Sequence, residues 1–210
     1  MKSTVSVERL LAARLVGIVR LDDLEATVAA AEAAIEAGLE VVEVTFTLAA
    51  AGRAIERLRD RHPAACVGAG SVRTPAELEA AVAAGAQFLV APGLNPELLE
   101  LARRRGLPMI PGVLTASEVD LGLRAGAELL KLFPAEPLGP GYLGSLRQPF
   151  PDARLVPTGG VSPANAGAYL AAGAVAVAMG SSMFPAREIA ARGAEVVKPL
   201  VAAALAAVRG

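Results

Sequence analysis

The sequence predicts an α/β fold in which eight parallel strands, each followed by a helix, close into a single-domain (β/α)8 TIM barrel over residues 1–210. Two observations carry the prediction. A helical stretch ending in Ala-Gly or Arg-Gly and feeding a short β-branched or apolar run recurs five times: at Gly38, Gly85, Gly106, Gly126 and Gly173. Adding 16–20, 66–69 and 155–158 to the runs that follow those glycines gives eight strand candidates, spaced by about 20 to 26 residues, the period of βα units. The runs are apolar on both faces, as parallel strands covered by helices must be, and eight such units close into a barrel.

In order, the N-terminal segment at about 6–14 reads as an amphipathic helix broken by charge. The first strand is 16–20. The second is Val41–Thr45, entered from Gly38, where a helix-ending glycine can take a left-handed conformation at little cost. Strands three to five are 66–69, 88–90 and 108–110. Between them, Thr74-Pro75 with Glu77 predicts a capped helix start with proline in the first turn, and Asn95-Pro96 repeats the pattern. Thr115 with Glu118 has the spacing of a capping box. Strand six begins at Leu129, strand seven is 155–158, Ser162-Pro163 opens the next helix, and strand eight is 175–178. The Ala-rich stretch from Ala190 to Val208 reads as a closing helix.

Composition limits the function classes. A hydrophobic fraction of 54% with 20% charged residues excludes disorder, and a formal net charge of −1 gives no electrostatic case for nucleic acid. The expected partner is a small molecule. Cys66 is the only cysteine, so no intrachain disulfide can form, which favours a reducing cytoplasm. Neither a signal-peptide core nor a membrane-spanning stretch is expected. His62 sits in a polar turn, and no histidine pair or acidic cluster has metal-site spacing, so neither metal nor cofactor is expected.

Only three lysines occur, Lys2, Lys131 and Lys198, against seventeen arginines. Lys131 lies inside an apolar run, and strand alternation would put it on one face with Leu129 and Phe133. Apolar neighbours disfavour the charged form of an amine, and a neutral amine is a nucleophile suited to Schiff-base formation. A snorkelling or ion-paired lysine fits the same run. Glu43 shares its face with Val41 and Thr45, a burial that needs either a partner or a task. General acid–base work beside Lys131 is one account; an ion pair with Lys131 or Arg20 is the other.

Barrel chemistry gathers at the C-terminal ends of the strands. Thr158-Gly159-Gly160 after strand seven and Gly180-Ser181-Ser182 after strand eight would bring backbone N–H groups and hydroxyls together near helix N-termini, a way of holding phosphate without a basic side chain.

The segments Glu43–Thr47 (EVTFT), Val67–Ser71 (VGAGS), Ala91–Gly93 (APG), Pro111–Val113 (PGV), Lys131–Ala135 (KLFPA), Pro157–Val161 (PTGGV) and Met179–Ser181 (MGS) span nearly the whole chain. In that order they resemble the 2-keto-3-deoxy-6-phosphogluconate / 4-hydroxy-2-oxoglutarate aldolase family. The resemblance implies a metal-independent class I aldolase, usually a homotrimer, that releases pyruvate and glyceraldehyde 3-phosphate in Entner–Doudoroff carbohydrate metabolism. It makes Lys131 the Schiff-base lysine and Glu43 the proton shuttle. It places Ser71 near the pyruvyl group, Pro92 and Phe133 in the pocket wall, and Thr158, Gly159, Gly160, Gly180 and Ser181 at the phosphate. Many members carry a carboxylate-holding arginine where this sequence has Thr47. Arg20, at the end of the first strand, is the expected substitute, since a guanidinium pairs with a carboxylate through two parallel hydrogen bonds. A phosphate-binding barrel of another activity, such as an epimerase or synthase, and a catalytically silent binding protein remain alternatives.

Overall fold

In the computed structural model, which describes residues 2–209, the chain alternates helix and strand as the glycine-punctuated pattern requires. The barrel strands are β1 (Leu15–Val19), β2 (Val41–Thr45), β3 (Cys66–Gly70), β4 (Leu89–Val90), β5 (Met109–Ile110), β6 (Gly112–Val113), β7 (Leu130–Leu132), β8 (Leu155–Pro157) and β9 (Val177–Met179). β5 and β6 are one barrel stave interrupted at Pro111, so the ring has eight members. All pairings are parallel, in the order β5-β4-β3-β2-β1-β9 and β6-β7-β8. Proline has no N–H to give the ladder, yet its carbonyl still accepts from Lys131 N at 2.9 Å, which carries the ring across the break. A parallel bridge between Thr158 and Ala178 closes it.

The helices are α1 (Lys2–Ala13), α2 (Leu24–Glu36), α3 (Ala51–Arg61), α4 (Pro75–Ala83), α5 (Pro96–Arg104), α6 (Ala116–Arg124), α7 (Gly139–Arg147), α8 (Pro163–Ala171), α9 (Ala186–Arg192) and α10 (Val197–Arg209). Their starts follow the expected caps. Thr74 and Thr115 each form a reciprocal capping box, with Glu77 and Glu118, and Asn95 Oδ1 accepts from Glu97 N at 2.9 Å. All five punctuating glycines have positive φ, from 70° at Gly106 to 102° at Gly173, the backbone region an L side chain rarely adopts. The expected closing helix differs. Gly193, at φ 83°, ends α9, and a 3-10 turn over Ala194–Val196 leads into α10. One left-handed residue is enough to break the helix that alanine content favours.

Strand alternation separates two apolar layers. Alternate residues in or just before the strands, such as Val16, Val41, Cys66, Phe88, Ile110, Leu129 and Val156, fill the barrel interior, and Val7 and Leu10 of α1 join that cluster to plug its N-terminal end. The outward residues, including Val42, Val44, Val67, Leu89 and Leu130, form the larger layer under the helices. Outside, arginines tie neighbouring helices: Arg57 Nη2 donates to Glu25 at 2.9 Å, and Arg105 pairs with Glu79 at 2.7 Å. Such exposed pairs contribute little singly.

β3 differs from its neighbours inside the barrel. Its inward positions after Cys66 are Gly68 and Gly70, and the vacated space is taken from both sides. A Cβ on Gly68 would lie 2.5 Å from Cδ1 of the Phe88 ring, and one on Gly70 would lie 2.5 Å from Cδ of Glu43. No helix among the described residues is long and apolar enough to cross a membrane.

Candidate active site

Glu43 and Lys131 both project into the barrel because each alternates with inward apolar residues, Val41 on β2 and Leu129 beside β7. They are 2% and 4% exposed, an extreme for ionisable groups. Together with Thr158 they supply the polar lining of a small internal void whose other walls include Val16, Phe88 and Val156. Glu43 Oε1 has no hydrogen-bond partner, so the ion pair that the sequence left open is not made through that oxygen.

Burial dominates both titrations. It pushes the Glu43 carboxyl above its usual range, against the opposing attraction of Lys131 and Arg20. It pushes the Lys131 amine down, with Glu43 opposing and Arg20 assisting. Both shifts favour the neutral form. The arrangement therefore offers an amine able to attack a carbonyl and a carboxyl able to carry a proton, held in one buried chamber. Lys131 Nζ also lies over the Phe133 ring, 4.9 Å from its centroid. That ring is backed by Gly159, where a Cβ would come within 3.2 Å of it.

Above the void opens a cleft of about 230 Å³. Eight of the residues expected at the site line it: Arg20, Lys131, Phe133, Thr158, Gly159, Gly160, Gly180 and Ser181. Gly159 and Gly160 both have positive φ, 88° and 73°, which brings bare backbone to the cleft wall. The two loops are tied together: Ser182 Oγ donates to Val161 O at 2.8 Å. Asn165 holds the first loop, donating to Gly160 O at 2.9 Å and accepting from Ser162 N at 2.8 Å.

Thr47, Ser71 and Pro92 do not line this cleft. Thr47 is exposed, and its hydroxyl is 2.7 Å from that of Thr45. Ser71 leaves β3 at φ 57°, and the Pro92 carbonyl packs against Gly112. They follow β2, β3 and β4, on the Glu43 side of the mouth. Conversely, Ile18, Val161, Phe184 and Ala186 line the cleft without having been singled out. Ile18 was readable from its two-residue spacing to Arg20; Phe184, buried behind the second loop, had no such signal. Among the described residues no group of three or more His, Cys, Asp or Glu could hold a metal ion.

A buried lysine and glutamate thus lie beneath two glycine loops. A family model described as KDPG and KHG aldolase matches residues 7–200. The chain belongs to the KDPG and KHG aldolase family. This aldolase is 41% identical over 174 residues to the 2-dehydro-3-deoxy-phosphogluconate aldolase of Pseudomonas aeruginosa, covering 82% of this chain and 79% of that one. It is 40% identical over 173 residues to the KHG/KDPG aldolase of Escherichia coli, covering 82% and 81%. A crystal structure of the KDPG aldolase of Legionella pneumophila, with pyruvate captured as a covalent carbinolamine, superposes with a TM-score of 0.86 at 34% identity, covering 93% of this chain and 96% of that one. The family's members are lyases, and this aldolase is one.

Proposed function

We propose that this single-domain aldolase cleaves 2-keto-3-deoxy-6-phosphogluconate reversibly to pyruvate and glyceraldehyde 3-phosphate, and 4-hydroxy-2-oxoglutarate to pyruvate and glyoxylate, through a Schiff base on Lys131. The observation that carries this reading is the pair of desolvated groups at the cleft floor, Lys131 held toward its free amine and Glu43 toward its acid.

Lys131 Nζ attacks the C2 carbonyl to give a carbinolamine, the species captured in the Legionella relative. Glu43 gives its proton to the C2 hydroxyl, which leaves as water, and the nitrogen lone pair forms the iminium. The resulting Glu43 carboxylate takes the C4 hydroxyl proton, directly or through water. The C3–C4 electrons flow into the iminium, releasing the aldehyde and leaving an enamine. Glu43 returns the proton to C3, and water hydrolyses the pyruvyl iminium to pyruvate and free amine, the proton released going back to the Glu43 carboxylate. Each proton removed is replaced, so the lysine and glutamate end as they began.

In this reading Arg20 binds the substrate carboxylate, Ser71, Thr47, Pro92 and Phe133 border the pyruvyl end, and the loops at 158–160 and 180–181 take the phosphate. The family resemblance extends it to a cytoplasmic homotrimer acting in Entner–Doudoroff metabolism; the exposed Leu121 and Leu138 would suit subunit contacts. Treatment with pyruvate and borohydride tests the core of the reading. One irreversible three-carbon adduct per chain is expected, mapped to Lys131; an adduct on Lys2 or Lys198, or none, overturns it.

The two anion sites separate by substrate. Arg20→Ala is expected to weaken every keto acid alike, by the roughly 1.5–3 kcal/mol of a hydrogen bond to a charged group, with Thr47→Ala mattering less. Ser181→Ala is expected to weaken the phosphorylated substrate selectively and to leave 4-hydroxy-2-oxoglutarate cleavage largely intact. Measured kcat/KM for both substrates decides, and an Arg20→Ala variant neutral toward both would place the carboxylate elsewhere.

A further inference from the structure

We infer that Gly70 is the positioning residue for the Glu43 carboxylate: its missing side chain is the seat in which the carboxylate lies. In the β2–β3 register Glu43 is opposite Gly68, and Gly70 is opposite Thr45. The Glu43 side chain therefore leans one inward position toward the C-terminal mouth, across bare β3 backbone. A Cβ on Gly70 would meet Oε1, Cδ and Cγ of Glu43, the latter two at 2.5 and 2.6 Å, and these are its three nearest neighbours. The same void at Gly68 is filled by the Phe88 ring, so the two β3 glycines are not interchangeable. One admits a rigid core side chain and the other admits the shuttle.

Two further facts make Gly70 a determinant of chemistry rather than of folding. Its φ lies outside the left-handed region, so alanine meets no backbone penalty there. The obstructing atoms also belong to the Glu43 side chain and not to backbone, so it is that side chain, Cγ included, that must turn aside. Substitution should displace the carboxylate and leave the barrel standing. Displacement matters because Oε1, buried and without a partner, is held by the shape of its seat and not by a hydrogen bond.

This inference rests on the proposed aldolase chemistry, and the experiment separates the two. Wild type, Gly70→Ala, Glu43→Ala and the double variant are compared by thermal melting, by borohydride trapping of pyruvate, and by exchange of the pyruvate methyl protons with deuterated water followed by NMR. Gly70→Ala should keep its melting temperature and reach the same end-point adduct on Lys131, more slowly, because the amine is untouched while the acid that expels water is displaced. Its methyl exchange should fall by about 10²-fold, the scale of a lost acid–base contribution. In the Glu43→Ala background the same change should have no further effect, because nothing remains for the new methyl to displace. Wild type that fails to trap pyruvate overturns the aldolase reading itself. Wild type that traps, with Gly70→Ala exchanging at the wild-type rate, losing its fold, or losing exchange equally in the Glu43→Ala background, overturns the role of Gly70 alone.

Discussion

Lys131→Met abolishes the borohydride-dependent pyruvate adduct and lowers aldol turnover by about 10⁴ or more, the order lost when a covalent nucleophile is removed. Methionine is similar in length and apolar, so the barrel interior stays filled. The same substitution should make the protein more stable at neutral pH. The folded-state amine titrates below its ordinary value, chiefly through burial, so the native chain binds fewer protons than the unfolded chain, whose lysine titrates near about 10.4. That imbalance costs stability at every pH below the unfolded value and disappears above it. Melting temperatures at pH 7 and above pH 10 should therefore show a gain for Lys131→Met that shrinks as pH rises. Equal stability of the two proteins at pH 7 would mean that the amine is solvated.

Glu43→Gln should keep much of its pyruvate affinity while losing turnover by about 10² or more, because glutamine matches the shape of the side chain and cannot exchange its proton. A raised carboxyl also shapes the pH profile. Wild-type kcat should show a limb above the usual carboxylate range, and the Gln variant should lack it. The linkage sign is opposite to that of lysine. With its folded pKa raised, Glu43 costs stability above the unfolded value of about 4.3 and nothing below it, so the Gln variant gains stability at pH 7 and none at pH 3. Full turnover in the Gln variant would return Glu43 to a filling role.

Much of this was legible in the sequence for a definite reason. Gly38, Gly85, Gly106, Gly126 and Gly173 announce helix ends because few other residues take their φ, and the eight apolar runs counted with their help leave few topologies. Lys131 was visible because lysine is scarce here and its neighbours are apolar. What escaped was anything set by the approach of elements distant in sequence. Gly68 and Gly70 stand in the sequence only as part of the 67–71 motif, and only the packed barrel shows what occupies the space above each. Phe184 reaches the cleft through the turn after β9, a direction that periodicity does not encode. Thr47, taken from its place in a motif, is exposed, with its hydroxyl 2.7 Å from that of Thr45.

The break in the ring at Pro111 has a consequence for motion. The carboxylate belongs to the six-stranded arc and the amine to the three-stranded one, and the arcs meet through one interrupted stave and one isolated bridge. Cooperative local opening follows the thinnest hydrogen bonding. Opening at these joints would part the strand that carries the amine from the strand that carries the carboxylate, so amide exchange there is expected to be faster than within either arc.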